Sequence, residues 1–209
     1  MAEGKGQAFL DKFAEVSARV GNQVHLRTLR DAFATIMPLY ILAGIAVLVN
    51  NVVFAYIWGD TGFAPNAEVL ANVQTWGSAL TLGTLNVSAL ILAGLIGYCL
   101  ARNERFDNPL ACVVVGISAL VIMMPQTVTA NLAATSPLLT DKVTSAAVTG
   151  ALSTANTGTN GLFGAILIGL AAVAVFIKIS GVEKLKVNLG EGVPPAVANS
   201  FNVTIPMLL

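Results

Sequence analysis

Few side chains in this chain combine the residue types and the spacing that enzymatic chemistry requires. The single histidine, His25 in GNQVHLRTLRD, could accept a phosphoryl group or bind a metal ion. No second histidine, paired carboxylate or cysteine lies near it, which favours a structural role at a surface or an interface. Arg30 and Asp31 could form a functional ion pair. The favoured roles are an anchor at phospholipid headgroups for Arg30 and a favourable charge at a helix N-terminus for Asp31.

Polar side chains within apolar stretches are a second set of candidates, because an unpaired polar atom in a membrane is costly. They would either form hydrogen bonds between helices, which is the favoured role, or line a path for a substrate. These residues are Asn50, Asn51, Asn86 and Ser88. Cys99 and Cys112 also lie in apolar stretches and are typical of small buried residues, with a disulfide or a metal site as the alternatives.

Motifs for catalysis are absent from the sequence, which has no phosphate-binding loop, no GxGxxG motif and no metal-ligand spacing. It therefore predicts no catalytic residue, no metal and no cofactor, and it identifies no substrate-binding residue. Glycines in the apolar stretches indicate close packing of helices. These glycines are Gly94, Gly97, Gly161, Gly164 and Gly169.

The elements that position these side chains are those of a membrane protein. Of the 209 residues, 56% are hydrophobic and only 11% are charged, and the mean hydropathy is +0.78. A soluble domain has about 25% charged residues, so this chain has too few to cover a water-facing surface. The net charge of zero gives no indication of a nucleic-acid partner. The composition predicts a polytopic, all-α membrane protein.

The apolar segments that are candidates for membrane spans lie at 32–57, 78–100, 109–124 and 161–179. A helix needs about 20 residues to cross a hydrocarbon core of about 30 Å, and three of the four segments meet this requirement. The segment 109–124 is too short, so it must continue past Pro125 or lie where the membrane is thinned or protein-lined. Its start is marked by Pro109, with Asp107 or Asn108 as the cap.

Basic residues are distributed unevenly around these segments. All but one of the 11 basic residues lie before the first segment, between the second and third, or from the end of the fourth onward. They are Lys5, Lys12, Arg19, Arg27, Arg30, Arg102, Arg105, Lys178, Lys184 and Lys186. The opposite side holds only Lys142. The positive-inside rule therefore predicts a cytoplasmic N-terminus.

Two segments outside the spans are predicted to contain helices. An apolar stripe of helical period precedes the first span, and it indicates an amphipathic helix on the cytoplasmic membrane face or one docked on protein. The stripe consists of Phe9, Phe13, Val16, Val20 and Val24. The loop 126–160 is predicted to hold one or two short helices, one around 142–153, and a turn at Thr157–Gly161.

Three stretches, in the order in which they occur, resemble enzyme IIC of the bacterial phosphoenolpyruvate-dependent sugar phosphotransferase system. The resemblance is to its lactose/cellobiose/diacetylchitobiose family. The stretches are GNQVHLRTLRDAFATIMPLYILAG, GTNGLFGAILIG and EGVPPAVANSFNVTIP. The most specific is VPPAVxxSFxxxIP at Val193–Pro206, which in that family connects to the fifth transmembrane helix.

The resemblance implies an N-terminal half of the permease in the bacterial inner membrane. Residues 1–31 would be a cytoplasmic amphipathic helix, and 32–180 a transmembrane domain of the kind that forms homodimers. Residues 181–209 would be a cytoplasmic connector and the start of a truncated fifth helix. The histidine and glutamate that hold the sugar in the family have no counterpart in this sequence.

The function that the resemblance implies is translocation of a β-linked disaccharide such as cellobiose. The partners would be the IIA and IIB components, which carry the phosphoryl group, so His25 would not be phosphorylated. Whether this chain takes part in an enzymatic step stays open. The alternative is a truncated, dimerising or scaffolding membrane fragment without transport. An unrelated secondary transporter would need ionisable residues at membrane depth, and the predicted spans have no acidic residue.

Overall fold

A computed structural model of the chain describes residues 21–60, 67–131, 144–185 and 195–208, and these are mainly helical, as predicted. The longer elements in chain order are α1 (Val24–Leu48), a π-helix (Val49–Asp60), α2 (Ala67–Thr84), α3 (Ser88–Asn103), α4 (Pro109–Met123), β1 (Thr127–Asn131), β2 (Ser145–Thr149), α5 (Thr154–Thr157), α6 (Leu162–Ser180) and α7 (Pro195–Leu208). Short 3-10 helices lie at Leu85–Val87, Thr159–Gly161 and Glu183–Leu185.

Three helical stretches in this described part are long and apolar enough to cross a membrane, namely Val24–Ile57, Glu68–Asn103 and Thr159–Ser180. The fourth predicted span is shorter, because α4 has 15 residues, about 22 Å against a core of about 30 Å. Asn108 is its cap, since the Asn108 side-chain oxygen accepts a hydrogen bond of 3.1 Å from the backbone nitrogen of Ala111. The suggestion that this helix continues past Pro125 is wrong, because it ends at Met123 and a strand follows.

Helix boundaries differ from the predicted ones in two places. The first helix begins at Val24 rather than at residue 32. The predicted loop 58–77 is helical over most of its length, because the π-helix reaches Asp60 and α2 begins at Ala67. A short apolar face explains α2, since Val69, Leu70 and Val73 are half-buried at helical spacing.

A β-hairpin occupies part of the predicted loop 126–160. Strand β2 pairs antiparallel with β1, in a register that runs from Thr127 opposite Thr149 to Asn131 opposite Ser145. The short helix predicted around 142–153 is therefore wrong for the part of it that the structure describes. Cross-strand pairing outweighs the helical tendency of two alanines in SAAVT, and Gly150 at φ +70° ends the strand. The α5 helix is a short helix in this loop, and a 3-10 helix follows it at the predicted turn.

The amphipathic stripe lies almost entirely outside the described residues, and only Val24 falls within them. The chain divides into two compact units. The first unit contains the described parts of Met1–Ile36, Leu92–Ser118 and Ile166–Leu209, and the second those of Met37–Ile91 and Ala119–Ala165.

Backbone contact through glycine holds α3 and α4 together in the first unit. A Cβ at Gly97 would overlap the carbonyl oxygen of Cys112, and a Cβ at Gly116 would lie 2.7 Å from the carbonyl oxygen of Ala93. Close approach of backbones is the usual means of helix packing in membranes, where burial of apolar surface gives no driving force. The predicted role of Gly97 in packing is thereby confirmed. Gly164 differs, because nothing lies within 4 Å of a Cβ built there.

A core of buried side chains completes the first unit. Leu100, Cys112 and Val173 are fully buried, and Phe176 is nearly so. The ring of Phe106 meets that of Phe176 edge to face, with ring centroids 5.8 Å apart and an interplanar angle of 74°. Residues from α3, α4 and α6 therefore share one packed cluster.

In the second unit, the 3-10 helix at Leu85–Val87 separates α2 from the first residues of α3. Hydroxyl groups bond to the backbone at this break. Thr157 Oγ1 donates to the carbonyl oxygen of Asn86 at 2.6 Å, and Ser88 Oγ donates to that of Leu85 at 2.8 Å. Broken membrane helices are tolerated where such side chains satisfy the freed backbone groups.

Candidate functional site

Polar and charged side chains converge on one cavity in the first unit, where the first turns of α1 face the last turns of α3. The cavity has a volume of about 330 Å³. Its lining residues are Arg27, Asp31, Thr35, Leu95, Tyr98, Cys99, Arg102 and Asn103. Helical spacing explains why these side chains face the same cavity. The lining residues on α1 recur every four residues. On α3 the same spacing relates Leu95 to Cys99 and Tyr98 to Arg102.

Asp31 is the acidic group of this polar cavity, and two arginines from α1 surround it. Arg30 donates to Asp31 Oδ1 from Nε at 3.1 Å and from Nη2 at 2.9 Å, and Arg27 Nε lies 4.0 Å from Oδ2. Asp31 is partly exposed, so this pairing contributes little to stability. The pairing orients the carboxylate toward Arg30 and leaves Arg27 only weakly engaged.

The α3 side of the polar cavity is positioned by two contacts. Asn103 Nδ2 donates to the hydroxyl oxygen of Thr28 at 3.0 Å, and Thr28 is fully buried. The guanidinium carbon of Arg102 lies 5.8 Å from the centre of the Tyr98 ring, a cation–π distance. Among the described residues no carboxylate pairs with Arg102, so its hydrogen-bond donors remain open.

The structure brings only part of the predicted candidates into this cavity. Asp31 and Cys99 line the cavity, whereas Arg30 does not line it but donates hydrogen bonds to Asp31. His25 is exposed on α1. Cys99 and Cys112 are buried free cysteines, so the disulfide alternative is wrong. Within the described part of the chain, no cluster of three or more potential ligands could hold a metal ion.

The four polar residues predicted within the spans do not come together at one site. Ser88 is buried and bonded to the backbone, and at Asn86 it is the main-chain carbonyl, not the amide, that pairs with Thr157. Asn51 is exposed. The Asn50 side chain occupies the place that a Cβ at Gly77 would fill, and its Oδ1 is buried without a hydrogen-bond partner in the described structure. None of these residues lines the polar cavity.

Sequence reasoning misses Tyr98, Arg102 and Asn103 as members of one site. In the sequence, Tyr98 and Arg102 mark only the end of an apolar segment, although their i, i+4 spacing places them on one face of a helix. Their partners on α1 are far away in sequence, since Thr28 and Asn103 are 75 positions apart. The site offers positive charge and hydrogen-bond donors.

Residues 30–209 match the sequence model of the family described as Phosphotransferase system, EIIC. A curated relative is the PTS system cellobiose-specific EIIC component of Lactococcus lactis subsp. lactis (strain IL1403). It is 28% identical, over 96% of this chain and 46% of the relative. Another is the PTS system oligo-beta-mannoside-specific EIIC component of Bacillus subtilis (strain 168), 25% identical over 93% of this chain and 39% of the relative.

Structural comparison points the same way. The crystal structure of the transporter ChbC, the IIC component of the N,N'-diacetylchitobiose-specific phosphotransferase system, superimposes with a TM-score of 0.79 at 26% identity. The match covers 96% of this chain and 44% of that chain. This chain therefore spans less than half the length of these relatives. Because the family match covers most of its length, the chain belongs to the phosphotransferase system EIIC family.

Proposed function

We propose that this chain forms part of a membrane permease that takes up a β-linked disaccharide such as cellobiose for a bacterial phosphotransferase system. The observation that carries the proposal is the structural likeness to the diacetylchitobiose transporter along nearly the whole chain. The specificities of the two curated relatives, for cellobiose and for oligo-beta-mannoside, favour the substrate class. The permease would present the sugar to a IIB component that has received its phosphoryl group from IIA.

The proposed placement is the bacterial inner membrane with the N-terminus in the cytoplasm. Among the described residues, every lysine and arginine belongs to the first unit and none to the second. Cytoplasmic segments of membrane proteins carry an excess of such residues, which supports this orientation.

Within the permease, this chain would supply a helical scaffold and the contacts of a homodimer. Its helices expose large apolar side chains, among them Leu110 at 71%, Phe163 at 72% and Ile122 at 73%. Such faces must meet lipid or other helices. The sugar-holding histidine and glutamate that the family resemblance implies have no counterpart here, so no residue of this chain is assigned to the sugar.

A chimeric permease tests the proposal. This chain would replace the segment that it matches in the L. lactis cellobiose-specific EIIC component, in cells that lack their own cellobiose permease. We expect phosphoenolpyruvate-dependent cellobiose uptake above that of cells with an empty vector. The matched control carries Gly97→Leu, which should abolish uptake by separating α3 from α4. A chimera that reaches the membrane at the wild-type level but transports nothing would contradict the proposal.

A further inference from the structure

We propose that the polar cavity between α1 and α3 binds the headgroup phosphate of an anionic phospholipid. The inference does not rest on sugar transport and requires only that α1 and α3 cross a membrane. It begins with the surplus of positive charge at the cavity. Among the described lining residues are Arg27, Arg102 and one carboxylate, Asp31, and Arg30 lies against the same carboxylate. Three guanidinium groups thus lie at or beside the cavity, and only two of them approach its carboxylate.

The open hydrogen-bond donors point to an oxyanion. The carboxylate of Asp31 takes two hydrogen bonds from Arg30, while Arg27 approaches it only to 4.0 Å. Arg102 has no carboxylate partner in the described structure, and the Tyr98 ring limits where its guanidinium group can lie. The planar donor fork of arginine matches two oxygens of a phosphate group. A phosphate between Arg27 and Arg102 would accept hydrogen bonds from guanidinium donors that no described residue of the cavity accepts.

The depth of the polar cavity favours a lipid as the source of that phosphate. Residues 32–57 and 78–100 contain no charged side chain. Asp31 is therefore the last charged residue before the apolar part of α1, and Arg102 is the first one after the apolar part of α3. The cavity lies at this border, where headgroups meet hydrocarbon. Basic pockets between membrane helices bind anionic headgroups.

The shape and lining of the polar cavity suit a headgroup as well. Its volume of about 330 Å³ lies in the range of about 300–1,000 Å³ that ligand pockets have. Leu95 and Cys99, which lie seven and three residues before Arg102, give it an apolar side. A headgroup phosphate could therefore meet the arginines while the glycerol and the first acyl carbons contact Leu95.

Lipid retention by the purified 209-residue chain tests the proposal. The chain in a mild detergent would be mixed with dioleoylphosphatidylglycerol, dioleoylphosphatidylcholine or inorganic phosphate, and bound molecules counted by native mass spectrometry. We expect one phosphatidylglycerol per chain, with phosphatidylcholine retained more weakly because its choline adds positive charge. Arg102→Gln should weaken retention about tenfold, through loss of a charge-assisted hydrogen bond. Arg102→Lys should restore part of it, since the charge remains.

The matched control is Arg105→Gln, which removes an exposed arginine near the same helix end but outside the polar cavity. It should retain phosphatidylglycerol like the wild type, and circular dichroism would verify that all variants are equally helical. Equal retention by Arg102→Gln and wild type would overturn the site. Binding of inorganic phosphate without preference for phosphatidylglycerol would overturn the assignment to a lipid.

Discussion

At the scale of single residues, the first unit is held together by a long-range hydrogen bond and by close contacts at glycines. The bond between Asn103 and Thr28 joins the end of α3 to the first turns of α1 and orients the amide that lines the polar cavity. Thr28 is fully buried, so its hydroxyl would be costly without this partner. Polar pairs between membrane helices contribute modestly, about 0.6 kcal/mol on average.

A double-mutant cycle with Thr28→Val and Asn103→Leu measures this bond. We expect a coupling of about 0.6 kcal/mol, and at most about 1.7 kcal/mol, in the free energy of unfolding in detergent. The control cycle pairs Asn103→Leu with Thr35→Val. The Thr35 hydroxyl bonds the Asp31 carbonyl of its own helix at 2.8 Å, so this cycle should show no coupling. Equal coupling in both cycles would contradict the α1–α3 bond.

Gly97 offers a second prediction at this scale. Gly97→Leu must push α3 away from the carbonyl oxygen of Cys112, and overpacking of this kind costs about 1–3 kcal/mol. The expected result is a lower midpoint of thermal unfolding in detergent. Gly164→Leu is the matched control, because its Cβ meets nothing within 4 Å and the midpoint should change little. Similar losses for both variants would show that contact with Cys112 is not the cause.

At the scale of elements, a break within a long helix and a β-hairpin distinguish the described part of the chain from a bundle of plain spans. The 3-10 helix at Leu85–Val87 breaks the α2–α3 stretch, and Thr157 in α5 pairs with the Asn86 carbonyl beside it. The second feature is the hairpin that follows α4, in which β1 and β2 pair through their backbones.

Cross-linking tests the hairpin register. With Cys99 and Cys112 replaced by alanine, cysteines at Thr129 and Ala147 should oxidise readily to a disulfide, because these residues lie directly opposite each other. Mass spectrometry of proteolytic fragments would detect the link. The control pair is Thr129 and Val148, which a one-residue offset places on opposite faces. Failure of the first pair to link faster than the control would favour a helix over a strand.

At the scale of the whole molecule, the uneven distribution of basic residues supports the proposed cytoplasmic N-terminus. Single cysteines at Glu104 and Lys142, on a cysteine-free background, test this orientation with a membrane-impermeant maleimide on intact cells. The positive-inside rule predicts labelling at 142 in intact cells and at 104 only after lysis. Labelling of residue 104 from outside would exclude the proposed orientation.

Composition, apolar runs and short motifs are local properties of the chain, and they suffice to predict the membrane class, the helical fold, the family and the start of α4 at Pro109. The polar cavity, the β-hairpin and the backbone contacts at Gly97 and Gly116 emerge only in the folded chain. Each depends on a partner from another element, as with Thr28 and Asn103, 75 residues apart. Apolar periodicity shows which residues avoid water, but it does not state which helix faces which in a membrane, where every face is apolar.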